Sequence, residues 1–139
     1  PVSHPPHHLR WGKGASVTHA RLKLGKWGEE RAVRYLRQRL YRIVVTNYSN
    51  KCGEIDIIAR RGKVVAFVEV KTRRTTAFGS GAEAVTPRKQ RQIIRTAQLY
   101  LLQNPDMSDQ QPRFDIIGVL VKPGTDACSI EHIPDAFGV

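Results

Sequence analysis

The tract from Gly53 to Arg73 constrains the chain most. Glu54 to Ala59 (Glu-Ile-Asp-Ile-Ile-Ala) and Val64 to Thr72 (Val-Val-Ala-Phe-Val-Glu-Val-Lys-Thr) are short apolar runs separated only by Arg60-Arg61-Gly62-Lys63. That spacing and that turn chemistry predict an antiparallel hairpin. The second run, which becomes polar only at its end, reads as a strand buried on both faces. Yet the two runs carry Glu54, Asp56, Glu69 and Lys71. Charged groups inside such strands are costly unless they are paired, hydrated or bound to a cation. Alternation predicts Glu54, Asp56 and Ile58 on one face of the first strand, and Glu69 and Lys71 on the Val65 and Phe67 face of the second. Paired as a hairpin, the strands would let Asp56 and Glu69 converge near the sheet end.

The flanking sequence supplies the remaining layers. From about Leu24 to Leu40, Ala32, Val33, Leu36 and Leu40 fall on one helical stripe, with Glu30, Arg34 and Arg37 opposite. Glu29 falls in the middle of the apolar stripe, where a carboxylate needs a partner, a metal or an escape to water at the helix start. Tyr41 to Tyr48 predicts a strand, and Asn47 to Gly53 has turn chemistry. Thr86-Pro87 opens a second helix with the stripe Ile93, Ile94, Ala97, Leu101, headed by Gln90 and closed by Asn104-Pro105. Arg113 to Val121 predicts another buried strand, Ala127 to Ile133 a last one, and Pro134 onward a tail. The order α-β-β-β-α-β-β predicts an α/β fold, a mixed central sheet flanked by helices. Residues 1–22, rich in His, Pro and Gly with scattered basic groups, predict a flexible basic arm ahead of a single domain over 23–139.

Charge points to the class of partner. The chain's 139 residues carry a net +11. Residues 1–50 hold ten Lys and Arg against Glu29 and Glu30, residues 51–95 eleven against four acids, and residues 96–139 two against six. A basic surplus confined to the first two thirds suits a polyanion, because each phosphate neutralised releases counterions. No run approaches the ~18 apolar residues of a membrane helix, so no membrane partner is expected. Cys52 and Cys128 form neither a disulfide framework nor a Cys-x-x-Cys knuckle, which predicts a reducing, cytoplasmic setting.

Within that basic domain, Glu29, Asp56, Glu69, Lys71 and Gln90 each interrupt an apolar pattern. Taken singly, each has an ordinary reading: a Glu-x-Lys in a strand is most often an ion pair, and Gln90 an ordinary first-turn polar residue. Together, two converging carboxylates and the carbonyl between Glu69 and Lys71 make an oxygen-rich site suited to Mg²⁺ or Mn²⁺. A neighbouring lysine that orients water and offsets phosphate charge completes the equipment for metal-assisted phosphodiester hydrolysis.

Four segments, in order, resemble the YraN family of bacterial proteins: Gly28-Glu29-x-x-Ala32-x-x-Tyr35-Leu36, Gly53-Glu54-Ile55-Asp56, Phe67-Val68-Glu69-Val70-Lys71-Thr72-Arg73, and Ala84-Val85-Thr86-x-x-Lys89-Gln90. That family is similar to the restriction-endonuclease-like PD-(D/E)xK phosphodiesterases and, among them, to archaeal Holliday-junction resolvases. The resemblance implies a three-layer α/β/α fold and a Mg²⁺- or Mn²⁺-dependent nuclease acting on DNA, branched or structured substrates included. It implies Asp56, Glu69 and Glu29 as metal carboxylates, Lys71 as the lysine of the Glu-x-Lys pair, and Gln90 as the polar residue of the following helix. Glu54 fits the pattern as a supporting residue, and Ile55 stands where the superfamily motif has Pro. Arg73, Arg74, Arg88 and Lys89 are the expected phosphate contacts. A homodimer is expected from the two-fold symmetry of resolvase substrates. Two readings from other classes stand beside this one: a non-catalytic DNA- or RNA-binding module, and an interaction scaffold built on the acidic last third.

Overall fold

Gly53–Arg61 (β2) and Val64–Arg73 (β3) pair antiparallel from Arg61↔Val64 to Ile57↔Val68 in the computed structural model. The model describes residues 17–74, 85–122, 124–125 and 127–139. Gly62 alone takes a positive φ in the two-residue turn (+60°), the pattern of a type II′ hairpin turn. Arg42–Asn50 (β1) lies antiparallel on the free side of β2. On the other side β3 pairs in parallel with Gln111–Val121 (β4), and Cys128–Phe137 (β5) closes the sheet antiparallel to β4. The result is a five-stranded mixed sheet in the order β1-β2-β3-β4-β5. Parallel β3 and β4 require a crossover, supplied by Pro87–Gln103 (α2).

One helix covers each face. Val17–Gln38 (α1) packs Leu24, Trp27, Ala32 and Leu36 against Ile57, Ala59, Ala66, Val68, Ile117 and Val119. On the opposite face α2 packs Ile93, Ala97 and Tyr100 against Ile58, Val65, Phe67, Phe114 and Ile116. Phe67 stacks on Phe114 with ring centroids 5.6 Å apart, and Tyr100 meets Phe67 edge-on. The expected α/β order is therefore observed.

Several boundaries differ from those predicted. The arm expected over 1–22 lies outside the described residues as far as 16, while 17–22 belong to α1. Arg73 to Val85, rich in Arg, Thr, Gly and Ser, predicts a loop, of which 75–84 lie outside the described residues. Helix α1 stops at Gln38, so Leu40 is not on the apolar stripe but 83% exposed, with φ +68°. The amide of Tyr41 donates to the Leu36 carbonyl and that of Leu40 to the Arg37 carbonyl, a Schellman stop with leucine where glycine is usual. β1 runs on to Asn50, leaving Lys51-Cys52 as the turn. β5 continues through Pro134 to Phe137 where a tail was expected.

That extension has a polar anchor. Asp115 of β4 is fully buried. It accepts both Nε and Nη2 of Arg113 at 2.8 and 2.7 Å, lies 2.8 Å from His132 Nε2, and accepts the Asp135 amide at 3.1 Å. Tyr41 accepts from Arg113, and Tyr35 of α1 is 3.3 Å from His132 Nδ1. Burial opposes ionisation of Asp115, but the hydrogen bonds from His132 and Arg113 outweigh it and hold the carboxyl below its usual range.

Candidate functional site

Past Ile57↔Val68 the β2–β3 ladder ends, and the carboxylate of Asp56 takes its place: Oδ2 accepts the Val70 amide at 2.8 Å. Strict alternation also breaks here. Ile55 and Ile58 join the α2-side core whereas Ile57 joins the α1-side core, so Glu54, Asp56 and Ile58 do not form the single face expected. Asn47, the β1 residue between the partners of Ile57 and Ile55, is in the left-handed region at φ +52°. The sheet thus bends and opens at Asp56.

The opening is a crevice of about 550 Å³ at the carboxyl end of β3, walled by Glu29 of α1, Glu54 and Asp56 of β2, Glu69, Val70, Thr72 and Arg73 of β3, Arg74, and Lys89 of α2. Ligands of open α/β sheets favour this end of the strands. A close approach of α1 sets the position of Glu29. A Cβ on Gly28 would lie 1.8 Å from Thr72 Oγ1 and 2.8 Å from its Cβ, so only glycine lets the helix sit on the end of β3. On the other side Thr86 caps α2 by accepting the Lys89 amide at 3.1 Å, which turns the first helical turn and Lys89 toward the crevice.

Electrostatics mark the same residues. Glu69 is only 6% exposed. Burial, then the charge of Asp56 and a hydrogen bond between the two carboxyls, push it up to about 8, against the opposing pull of Lys89 and Lys71. Glu29 is pushed up to about 7 by burial and by the charges of Asp56, Glu30 and Glu54. Lys71 Nζ stands 3.8 Å from Glu69 Oε2 and Lys89 Nζ 4.0 Å from the same oxygen. Two carboxyls whose proton affinity is raised by burial and by the charge of Asp56, with lysines beside one of them, are a perturbed cluster of the kind found at functional sites.

The donor chemistry fits a hard dication: the crevice offers the carboxylates of Asp56, Glu69 and Glu29 beside Val70. Among the described residues no three His, Cys, Asp or Glu side chains form a ready-made cage. Mg²⁺ does not need one, since it is commonly held by one or two carboxylates, water and substrate phosphate.

Of the residues singled out from sequence, Glu29, Glu54, Asp56, Glu69, Arg73, Arg74 and Lys89 meet at the crevice. Lys71 reaches it through Glu69. Gln90 does not line it: its side-chain Nε2 donates to the Val85 carbonyl at 3.0 Å, which tightens the start of α2. Arg88 is exposed and outside the wall. Arg73 adds a feature the sequence could not show: among the described residues its buried Nη1 has no hydrogen-bond partner. Thr72 was missed as well. Its signal was a glycine inside a helix beside an acid, since a mid-helix glycine often marks a close packing contact.

Comparison with known proteins agrees with the motifs. A family model described as "Uncharacterised protein family UPF0102" matches residues 28–119, which include α1 from Gly28, β1 to β3, α2 and most of β4. A UPF0102 protein of Geotalea daltonii is 51% identical over 114 residues, covering 82% of this chain and 88% of that protein. One from Syntrophotalea carbinolica is 46% identical over 123 residues, covering 88% and 98%. A more distant one from Dictyoglomus turgidum is 39% identical over 115 residues, covering 83% and 97%. The chain belongs to the UPF0102 family, the YraN family its motifs resemble.

Proposed function

We propose that the protein is a Mg²⁺- or Mn²⁺-dependent nuclease of restriction-endonuclease-like type, hydrolysing phosphodiester bonds in DNA, with branched or structured DNA as the favoured substrate. The observation that carries this reading is the meeting of Asp56 and Glu69 where β2 and β3 part, with Glu29 opposite and lysines at Glu69. Asp56, Glu69 and Glu29 are the residues that would hold the metal. A dication bound there would supply Lewis acidity to the scissile phosphate and a more acidic water. The chain's own groups do the rest. The Val70 amide fixes the Asp56 carboxylate in place. Lys71 and Lys89 offset charge at Glu69, and both are close enough to turn to a phosphate brought beside it. The Arg73 Nη1, which has no hydrogen-bond partner among the described residues, is a donor for a phosphate oxygen in the same crevice.

Incubating labelled branched, flapped and linear DNA with the protein and Mg²⁺ or Mn²⁺ tests the reading. Cleavage by the wild type and none by Asp56→Asn or Glu69→Gln is expected. No wild-type cleavage, or equal cleavage by the variants, rejects it.

A second reading has its own observation. Glu69 already has two lysine nitrogens within 4.0 Å and a carboxyl partner. An acidic cluster satisfied in that way suits a non-catalytic DNA- or RNA-binding module. Binding that persists in EDTA with a steep salt slope and no turnover would favour it. No helix among the described residues is long and apolar enough to cross a membrane, and the cytoplasm is the compartment proposed.

A further inference from the structure

The crevice does not end at Glu29. The same residue also lines a second groove, of about 690 Å³, that runs between α1 and the edge strand β1. Its helical wall carries Lys26, Arg34 and Arg37, and its strand wall carries Thr46 and Asn47. We propose that this groove is a track for the nucleic-acid backbone leading into the crevice, with Lys26 and Arg37 as its phosphate contacts. The proposal rests on the nucleic-acid reading above and adds the path and the residues.

Charge is the first argument. Glu29 and Glu30 offset two of the three cations Lys26, Arg34 and Arg37, which leaves the groove one positive charge in surplus. Lys26 and Arg37 are both exposed, and among the described residues neither makes an ion pair. Spacing is the second. Eleven residues of α-helix rise about 16 Å, a span of about five nucleotides along one strand of a duplex. The third is the lining. Among the described residues no aromatic ring lines the groove, which leaves it without the stacking platform that single-strand binders use for bases. Cations on one wall with Thr46 and Asn47 on the other contact phosphates and sugars, which position a strand without reading its sequence. The bend at Asn47 gives continuity, because it lies in the groove wall and beside the break in β2 at Asp56.

The path differs from the rim expected from sequence. Arg88 stands exposed on α2, outside both cavities, whereas Lys26 and Arg37 flank the cavity that adjoins Glu29.

Fluorescence anisotropy with two labelled DNA duplexes of unrelated sequence, titrated at several salt concentrations, tests the track. The double variant Lys26→Ala/Arg37→Ala is compared with Lys63→Ala/Lys122→Ala, which removes the same charge from exposed positions outside the two cavities. The track variant is expected to lose roughly 10- to 100-fold in affinity at low salt and to reduce the slope of log K against log salt by about two, equally on both duplexes. The comparison variant keeps the wild-type slope. An unchanged slope and affinity in the track variant, an equal loss in the comparison variant, or a loss confined to one duplex would each overturn the track. Failure of the wild type to bind either duplex would overturn the nucleic-acid reading on which it rests.

Discussion

Helix α1 carries two glycines whose surroundings predict opposite responses to the same substitution. Among the described residues a Cβ at Gly25 would meet nothing within 4 Å, whereas a Cβ at Gly28 would lie 1.8 Å from Thr72 Oγ1, 2.8 Å from its Cβ and 2.9 Å from its Cγ2. Rotating Thr72 relieves the first and third contacts but not the second, because that Cβ is fixed by β3. Restoring an ordinary contact of ~3.5 Å requires α1 to retreat by roughly 0.7 Å. Overpacking of this kind costs ~1–3 kcal/mol, and the retreat places it in the upper part of that range. Replacing glycine by alanine inside a helix returns ~1 kcal/mol. Gly28→Ala should therefore destabilise by ~1–2 kcal/mol, and Gly25→Ala should stabilise by ~0.5–1 kcal/mol. Urea denaturation of both variants measures the difference directly. Thr72→Ala should recover part of the loss in Gly28→Ala, since it removes two of the three atoms met. Equal effects at the two glycines, or a Gly28→Ala protein as stable as wild type, would refute the close approach that positions Glu29.

Other consequences follow from particular residues. Leu40→Gly should stabilise by ~1 kcal/mol in thermal denaturation, because an exposed leucine gives up little packing and a left-handed residue loses its Cβ penalty; a destabilised variant would contradict this. Asp115→Asn should cost ~3–5 kcal/mol by leaving Arg113 and His132 around a neutral, buried partner, and a cost under ~1 kcal/mol would show the network to be dispensable. Asp115 titrates below its ordinary value of 3.8 when folded, so its contribution is present above that pH and fades as acid protonates the native carboxyl. The stability gap between wild type and Asp115→Asn should accordingly shrink below pH 3.8 in acid denaturation, and a gap that widens there would reverse the assignment. Lys71→Ala should lower turnover ~100-fold or more while changing nucleic-acid affinity less than ~3-fold; parallel losses would make Lys71 a binding residue only.

Sequence reading succeeded where a pattern has one physical cause. The β2–β3 hairpin followed from two apolar runs around Gly62, and the start of α2 from Thr86-Pro87. The meeting of Asp56 with Glu69 followed from that hairpin, and Glu29 stood out as a carboxylate on an apolar stripe. What was not legible depends on contacts distant in the chain. Strict alternation could not foresee that β2 changes face at Asp56, because the bend arises from Asn47 in β1 and a side-chain bond to Val70. Leu40 matched the helical period, yet the chain turns before it to bring Tyr41 under α1. Pro134 suggested a tail, but Asp115 holds the Asp135 amide and keeps β5 in the sheet. Gln90 headed the apolar stripe of α2, and only the structure shows its amide used at Val85.

Everything proposed for the crevice depends on Asp56 and Glu69 acting together as a dication site. Calorimetric titration of Mg²⁺ and Mn²⁺ into the wild type, Asp56→Asn and Glu69→Gln tests it most directly, with folding of each variant verified by circular dichroism. Binding by the wild type is expected, with a loss of more than ~100-fold in each variant, beyond the 10- to 100-fold cost of losing a supporting residue around a metal. Unchanged metal affinity in either variant would contradict it.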